Sequence, residues 1–83
     1  MIFSALVEVR LRPGIADPAG ATVEAALPAL GFEGIRDVRM GKAVRMEVDA
    51  TDEASARLQV EQLCRRLLAN PVIEEAEIRI ESG

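Results

Sequence analysis

The stretch Leu67-Leu68-Ala69-Asn70-Pro71-Val72-Ile73-Glu74 constrains the fold more than any other part of the chain. It closes an amphipathic helical pattern and opens a strand pattern within eight residues. Asn is one of the few residues besides glycine that tolerate φ > 0 at a helix C-cap. Pro71 cannot continue a helix, and it biases Asn70 away from right-handed helical backbone. Val72 and Ile73 follow at once. The chain is therefore expected to leave its helix as a strand with almost no loop, which sets the last strand beside that helix.

The remaining segments supply the partners. Residues 2–12 alternate, with Phe3, Ala5, Val7, Val9 and Leu11 on one side and Ser4, Glu8, Arg10 and Arg12 on the other. A period of two is that of a strand with one face in the core. Ile2 and Leu6 interrupt the polar face. Pro13-Gly14 breaks the strand, and Asp17-Pro18 reads as the N-cap and first position of a helix. Ala19, Val23, Ala26, Leu27 and Leu30 share one helical face, and Gly31 is the expected C-cap. Pro28 removes a hydrogen bond to the Glu24 carbonyl, so the last turn is expected to kink or loosen.

Residues 35–49 alternate twice, first through Val38 and Met40, then through Val44, Met46 and Val48. Both runs face one core if a three-residue loop, Gly41-Lys42-Ala43, joins them as a hairpin pairing Met40 with Val44 and Val38 with Met46. Asp37, Arg39, Arg45 and Glu47 would then line the other face. Thr51 or Asp52 caps a second helix running to Ala69. Its expected buried stripe is Ala56, Val60, Leu63 and Leu67, widened by Cys64 and Leu68, with Leu58 on the polar side. A last strand over 73–81 turns Ala76, Ile78 and Ile80 inward. The predicted fold is thus α+β, a two-layer sandwich in βαββαβ order. It has a four-stranded antiparallel sheet with both helices on one face, formed by residues 1–83 as a single domain.

Function classes fall away on composition. The chain has no histidine, tyrosine or tryptophan, and Cys64 is its one thiol. A hydrolytic triad has no base, and ligation of a metal by Cys and His is excluded. Cys64 falls at the edge of a buried stripe and is expected to act as a small core hydrophobe. Glu75 and Glu77 share a strand face with Arg79, an arrangement of a solvated surface. Gly41-Lys42 lacks the other glycines and the Ser or Thr of a phosphate-binding loop. A net charge of −4 and only two aromatic residues argue against nucleic acid. A lone cysteine fits a reducing compartment. The opening residues have no basic n-region and meet Glu8 early, so neither a signal peptide nor a membrane span is expected, and the cytoplasm is the expected location. A core built almost without aromatics favours extra burial in an oligomer.

Three segments, Asp17-Pro18-x-Gly20, Asp37-Val38-Arg39-x-Gly41-Lys42 and Leu67 to Glu74, together resemble the PurS family over essentially the whole chain. PurS is the small subunit of phosphoribosylformylglycinamidine synthase in purine biosynthesis. The resemblance implies a non-catalytic subunit of an ATP-dependent amidotransferase. A glutaminase subunit releases ammonia, and a large synthetase subunit uses ATP and magnesium to make the amidine. The small chain forms a homodimer or higher homo-oligomer, bridges those two partners and assists ammonia transfer. It would carry no cofactor, metal or catalytic residue of its own. By position in the hairpin motif, Arg39, Gly41 and Lys42 are the expected interface residues. Two features depart from the family pattern: Glu75-Ala76-Glu77 stands where an aromatic residue is frequent, and Pro28 falls in a helix that is usually uninterrupted. A second hypothesis is a stand-alone ACT-like regulatory dimer that binds a small amino acid, for which Pro13-Gly14 offers the glycine-containing loop after the first strand.

Overall fold

Every ladder of the sheet runs through its first strand, β1 (Ile2–Leu11). The computed structural model describes residues 1–82, and the chain continues from β1 through α1 (Pro18–Ala26), a 3-10 turn (Pro28–Leu30) and β2 (Gly41–Asp49). It then forms α2 (Glu53–Leu63), a π-helical turn (Cys64–Leu68) and β3 (Glu74–Ser82). Alternation along β1 works as expected: Phe3, Ala5, Val7 and Val9 are buried, and they meet Val48, Ala56, Val60 and Cys64 in one core. Ala76, Ile78 and Ile80 of β3 and Val44 and Met46 of β2 pack against it from the flanks.

Among the described residues the sheet has three antiparallel strands in the order β2-β1-β3, not four. Residues Gly41, Lys42 and Ala43, expected as a hairpin loop, are the first rungs of β2 and lie opposite Arg10, Val9 and Glu8. Residues 35–40 form no strand. Their alternation is real, but the backbone hydrogen bonds go elsewhere. The Val38 N–H donates to Glu24 Oε1 (3.0 Å) and the Met40 N–H to Asp17 Oδ2 (2.8 Å). Side-chain carboxylates of α1 and its cap thus take the donors that a fourth strand would have needed.

The helices also part company. α2 lies over β1 and β3, whereas α1 packs chiefly against its own following 3-10 turn. Only Gly20 of α1 is buried, and the expected apolar face is open, with Val23 and Leu30 exposed. Without a fourth strand there is no sheet surface beneath α1, so residues 13–40 stand away as an arm. The radius of gyration is 16.3 Å, against about 12 Å for a compact chain of this length.

Local signals near the helix ends were mostly sound. Asp17 caps α1 through Gly20 N–H (2.8 Å), with Pro18 in the first position, and Asp52 caps α2 through Ser55 N–H (2.7 Å). Pro28 ends the α-helix as expected. The Glu24 carbonyl is taken by Leu27 N–H instead, the chain tightens to a 3-10 turn, and Gly31 closes it at φ 91°. At the end of α2 two expectations fail. Ala69 N–H reaches back to Cys64 O (2.9 Å), a π-type closure that rotates the last turn and leaves Leu67 74% exposed. The buried stripe is Ala56, Val60 and Cys64, with Leu63 and Leu68 half-buried. Asn70 does not adopt positive φ; Asp37 (φ 54°) is the one non-glycine residue among the described residues that does. Asn70 instead accepts Val72 N–H on Oδ1 (3.0 Å), forming an Asx turn.

Val60 is 1% exposed at the centre of the α2 contact, while Leu58 on the same helix is 54% exposed. Val60→Ala is expected to cost roughly 2 kcal/mol through lost burial and an unfilled cavity. Leu58→Ala should change stability by less than about 0.5 kcal/mol. Urea unfolding at fixed protein concentration measures both; equal midpoints for the two variants would contradict this core.

Candidate functional site

The base of the arm gathers the residues that the sequence singled out. Asp17 uses both carboxylate oxygens: Oδ1 accepts from Gly20 N–H inside α1, and Oδ2 accepts from Met40 N–H across the loop. Glu24, two turns along α1, accepts from Val38 N–H. A glycine is required at position 20 because a Cβ there would collide with the Val38 carbonyl oxygen and with Asp17 Oδ2. Gly41 is confined in the same way, since a Cβ would lie 2.7 Å from the Val9 carbonyl oxygen. Asp17-Pro18-x-Gly20 and Asp37 to Lys42 are therefore two halves of one joint. Their glycines mark where two backbones touch.

The three expected interface residues sit side by side at this joint, each in a different setting. Arg39 lies in the loop before β2, with Nη1 3.5 Å from the Ile15 carbonyl oxygen. Gly41 is buttressed against β1 and offers no side chain. Lys42, the second residue of β2 and not a hairpin tip, is exposed and lies opposite Val9 on the helix side of the sheet. All three are surface positions, but only Arg39 and Lys42 present a charge.

A third segment closes in from the other side. Arg12, just beyond β1, donates from Nε (3.2 Å) and Nη2 (3.1 Å) to the Pro71 carbonyl oxygen, and its backbone N–H donates to Ile73 O (2.8 Å). Arg10 on the outer sheet face reaches Glu75 (3.3 Å) and Glu77 (3.2 Å), and Arg79 also meets Glu77 (3.3 Å). These bonds lower the Glu77 carboxyl pKa, first through Arg10 and then through Arg79, and raise that of Arg10. All are exposed pairs and contribute little to stability. Sequence alone hid the Arg12 clamp and the Glu24 contact, because each joins residues far apart in the chain. Gly20 was the available clue. A glycine early in a helix weakens it unless another backbone needs the space.

Chemically the site holds and positions; among the described residues it brings no reacting constellation together. Burial pushes the Cys64 thiol pKa up, with a smaller contribution from Glu61. No histidine accompanies it in the sequence. Among the described residues no group of three or more His, Cys, Asp or Glu side chains is placed to hold a metal ion. Among the described residues no helix is long and apolar enough to cross a membrane.

The fold and the joint define a small α+β chain whose distinctive residues fasten one stretch of its backbone to another. The PurS family model, described as phosphoribosylformylglycinamidine (FGAM) synthase, matches residues 4–82. The chain is 44% identical to the PurS subunit of Mycobacterium leprae, over 94% of this chain and 95% of that one. It is 46% identical to the Synechocystis PurS subunit, over 82% and 68% of the two chains. Its fold superposes on a chain of the PurLQS structure from Thermotoga maritima with a TM-score of 0.90, at 34% identity, covering 96% of this chain and 98% of that one. On Methanocaldococcus jannaschii PurS the TM-score is 0.88, again at 34% identity, with 98% of each chain covered. The chain belongs to the PurS family, the PurS subunits of phosphoribosylformylglycinamidine synthase.

The joint has a pH signature. The N–H groups of Gly20 and then Met40 hold the Asp17 carboxyl below the usual carboxylate range. A lowered folded-state pKa stabilises above the unfolded value and loses that contribution as pH falls through the folded one. From about pH 3.9 downward, the native chain should lose stability more steeply than Asp17→Asn, whose amide does not titrate. Urea midpoints between about pH 6 and pH 2.5 would show the difference in slope. Parallel curves would remove Asp17 from the joint.

Proposed function

We propose that this chain is the non-catalytic bridge of its synthase complex, holding a glutaminase subunit against an ATP-dependent synthetase subunit and assisting ammonia transfer between them. Glutamine is consumed by the first partner, ATP and magnesium by the second, and the assembly works in the cytoplasm. Arg39, Gly41 and Lys42, at the base of the arm, belong to the surface that meets a partner. The chain itself is a homodimer or higher homo-oligomer.

One observation carries this reading: the molecule is built around surface it does not cover. It exposes 6000 Å², where a compact monomer of its 9.0 kDa would expose about 4,900 Å². Val23, Leu30, Phe32, Ile35 and Met40 of the arm are exposed, and α2 leaves the helix-side face of β2 open, with Val44 and Met46 only half-buried. An apolar arm and an uncovered apolar strand face on one chain complement each other between two copies. The relative found in a PurLQS assembly supports the wider bridging role. The ACT-like alternative lacks such support, and the family membership favours the subunit.

Reconstitution tests the bridge. With glutaminase and synthetase supplied, omitting this chain should abolish amidine formation from glutamine and leave formation from free ammonia intact. Lys42→Glu should raise the concentration of the chain needed for half-maximal activity. Full glutamine-dependent activity without the chain would overturn the proposal. Sedimentation of the chain alone should give at least twice the 9.0 kDa monomer mass, and Leu30→Glu with Phe32→Glu should shift it to monomer. A monomeric native chain would remove the homo-oligomer from the proposal.

A further inference from the structure

We infer that the free edge of β2 pairs with the β2 edge of a second copy, antiparallel about a two-fold axis through Met46, so that two sheets become one. The inference rests on the homo-oligomer proposed above and names the strand and the register that make it. β2 ends the sheet, and its ladder with β1 runs unbroken from Ile2 opposite Asp49 to Arg10 opposite Gly41. One bond fixes which backbone groups that ladder leaves over. Ala50 N–H donates to Met1 O (3.0 Å), so Met1 and Ala50 are a hydrogen-bonded pair in the same register. Such pairs alternate along an antiparallel ladder. Val48, Met46, Val44 and Lys42 therefore give their backbone groups to β1, and Asp49, Glu47, Arg45, Ala43 and Gly41 turn theirs to the open edge. Native sheets blunt such an edge with proline or a bulge, and β2 has neither.

Charge selects the register. Only a register that sets outward-turned residues against one another forms hydrogen bonds across the edge. Near the middle of β2 such two-fold axes pass through Val44, Arg45 or Met46. An axis through Arg45 sets that cation against itself. One through Val44 sets Arg45 against Ala43. One through Met46 sets Arg45 against Glu47 of the second copy, and Glu47 against Arg45, on the exposed outer face of the sheet. Directly opposed unlike charges stabilise a strand pair and like charges oppose it. On the inner face the same axis sets Val44 against Val48 and Met46 against Met46. The half-buried inner face of β2 thus continues into its own copy.

The opposite edge, on β3, is not open in the same way. Arg12 N–H donates to Ile73 O in the β1–β3 register, so by the same alternation Ala76, Ile78 and Ile80 turn their backbone groups outward. Arg57 of α2 reaches over this edge and donates from Nη1 to Ile78 O (3.5 Å), at its middle. An axis through Ile78 would also set Glu75 against Glu81, carboxylate to carboxylate. One self-complementary edge and one capped edge give a closed pair of copies and no open fibre.

Sedimentation equilibrium of the full chain and its variants tests the edge. Arg45→Glu and Glu47→Arg, each alone, set like charges together at both symmetry-related contacts and should weaken self-association at least about tenfold. Mixed in equal amounts, the two variants restore unlike charges at both contacts, and association should return to near the native affinity. Among the described residues neither side chain enters an ion pair of its own chain, so each reversal should leave the fold intact. Ala43→Pro removes an outward N–H and no bond to β1. It should weaken association at least about tenfold and leave the circular dichroism of the chain unchanged. A native oligomer that withstands all three substitutions would overturn the edge pairing and leave the homo-oligomer standing on another surface. Weakening by both reversals without recovery in the mixture would overturn the register. A native chain that sediments as a monomer would overturn the homo-oligomer, and the edge pairing with it.

Discussion

Antiparallel pairing of β1 with two neighbours is the constraint from which the rest of the structure follows. β1 is the one strand with partners on both edges, so its inward residues, Phe3, Ala5, Val7 and Val9, form the floor of the core. α2 can cover only part of that floor, and it settles over β1 and β3. The β2 side remains open. Everything that makes the chain look unfinished as a monomer, from the long arm to the half-buried Met46, follows from a three-stranded sheet with one helix on it.

Much of this was legible from residue order. Alternation identified β1 and the inward residues of β3, and Asp17-Pro18 and Asp52 marked where helices begin. Pro28 marked where one ends. Period-two alternation could not distinguish a strand from an extended segment whose amides are held by side chains. The alternation through Val38 and Met40 therefore points to a hairpin that does not exist, with Gly41-Lys42-Ala43 as its loop. The destination of a backbone N–H is a tertiary fact. Leu67 failed for a different reason, since a π-type turn shifts the helical phase without leaving a compositional mark.

The site was legible in outline. The segments that carried the family resemblance do come together, yet their glycines and carboxylates serve a mechanical purpose that spacing did not reveal. Gly20 and Gly41 are small because another backbone lies against each of them. Arg39 and Lys42 are left as the charged outward groups of the same joint.

The way the arm is fastened has a consequence for substitution. Asp17 and Glu24 grip the backbone amides of Met40 and Val38, not their side chains. Every amino acid except proline supplies the same N–H, so the fastening is indifferent to which residues stand at 38 and 40. Substitutions at 38 and 40 can therefore change the outward chemistry of this loop without loosening the arm. What the loop touches is thus set apart from the two carboxylates and the two close-packed glycines that hold it.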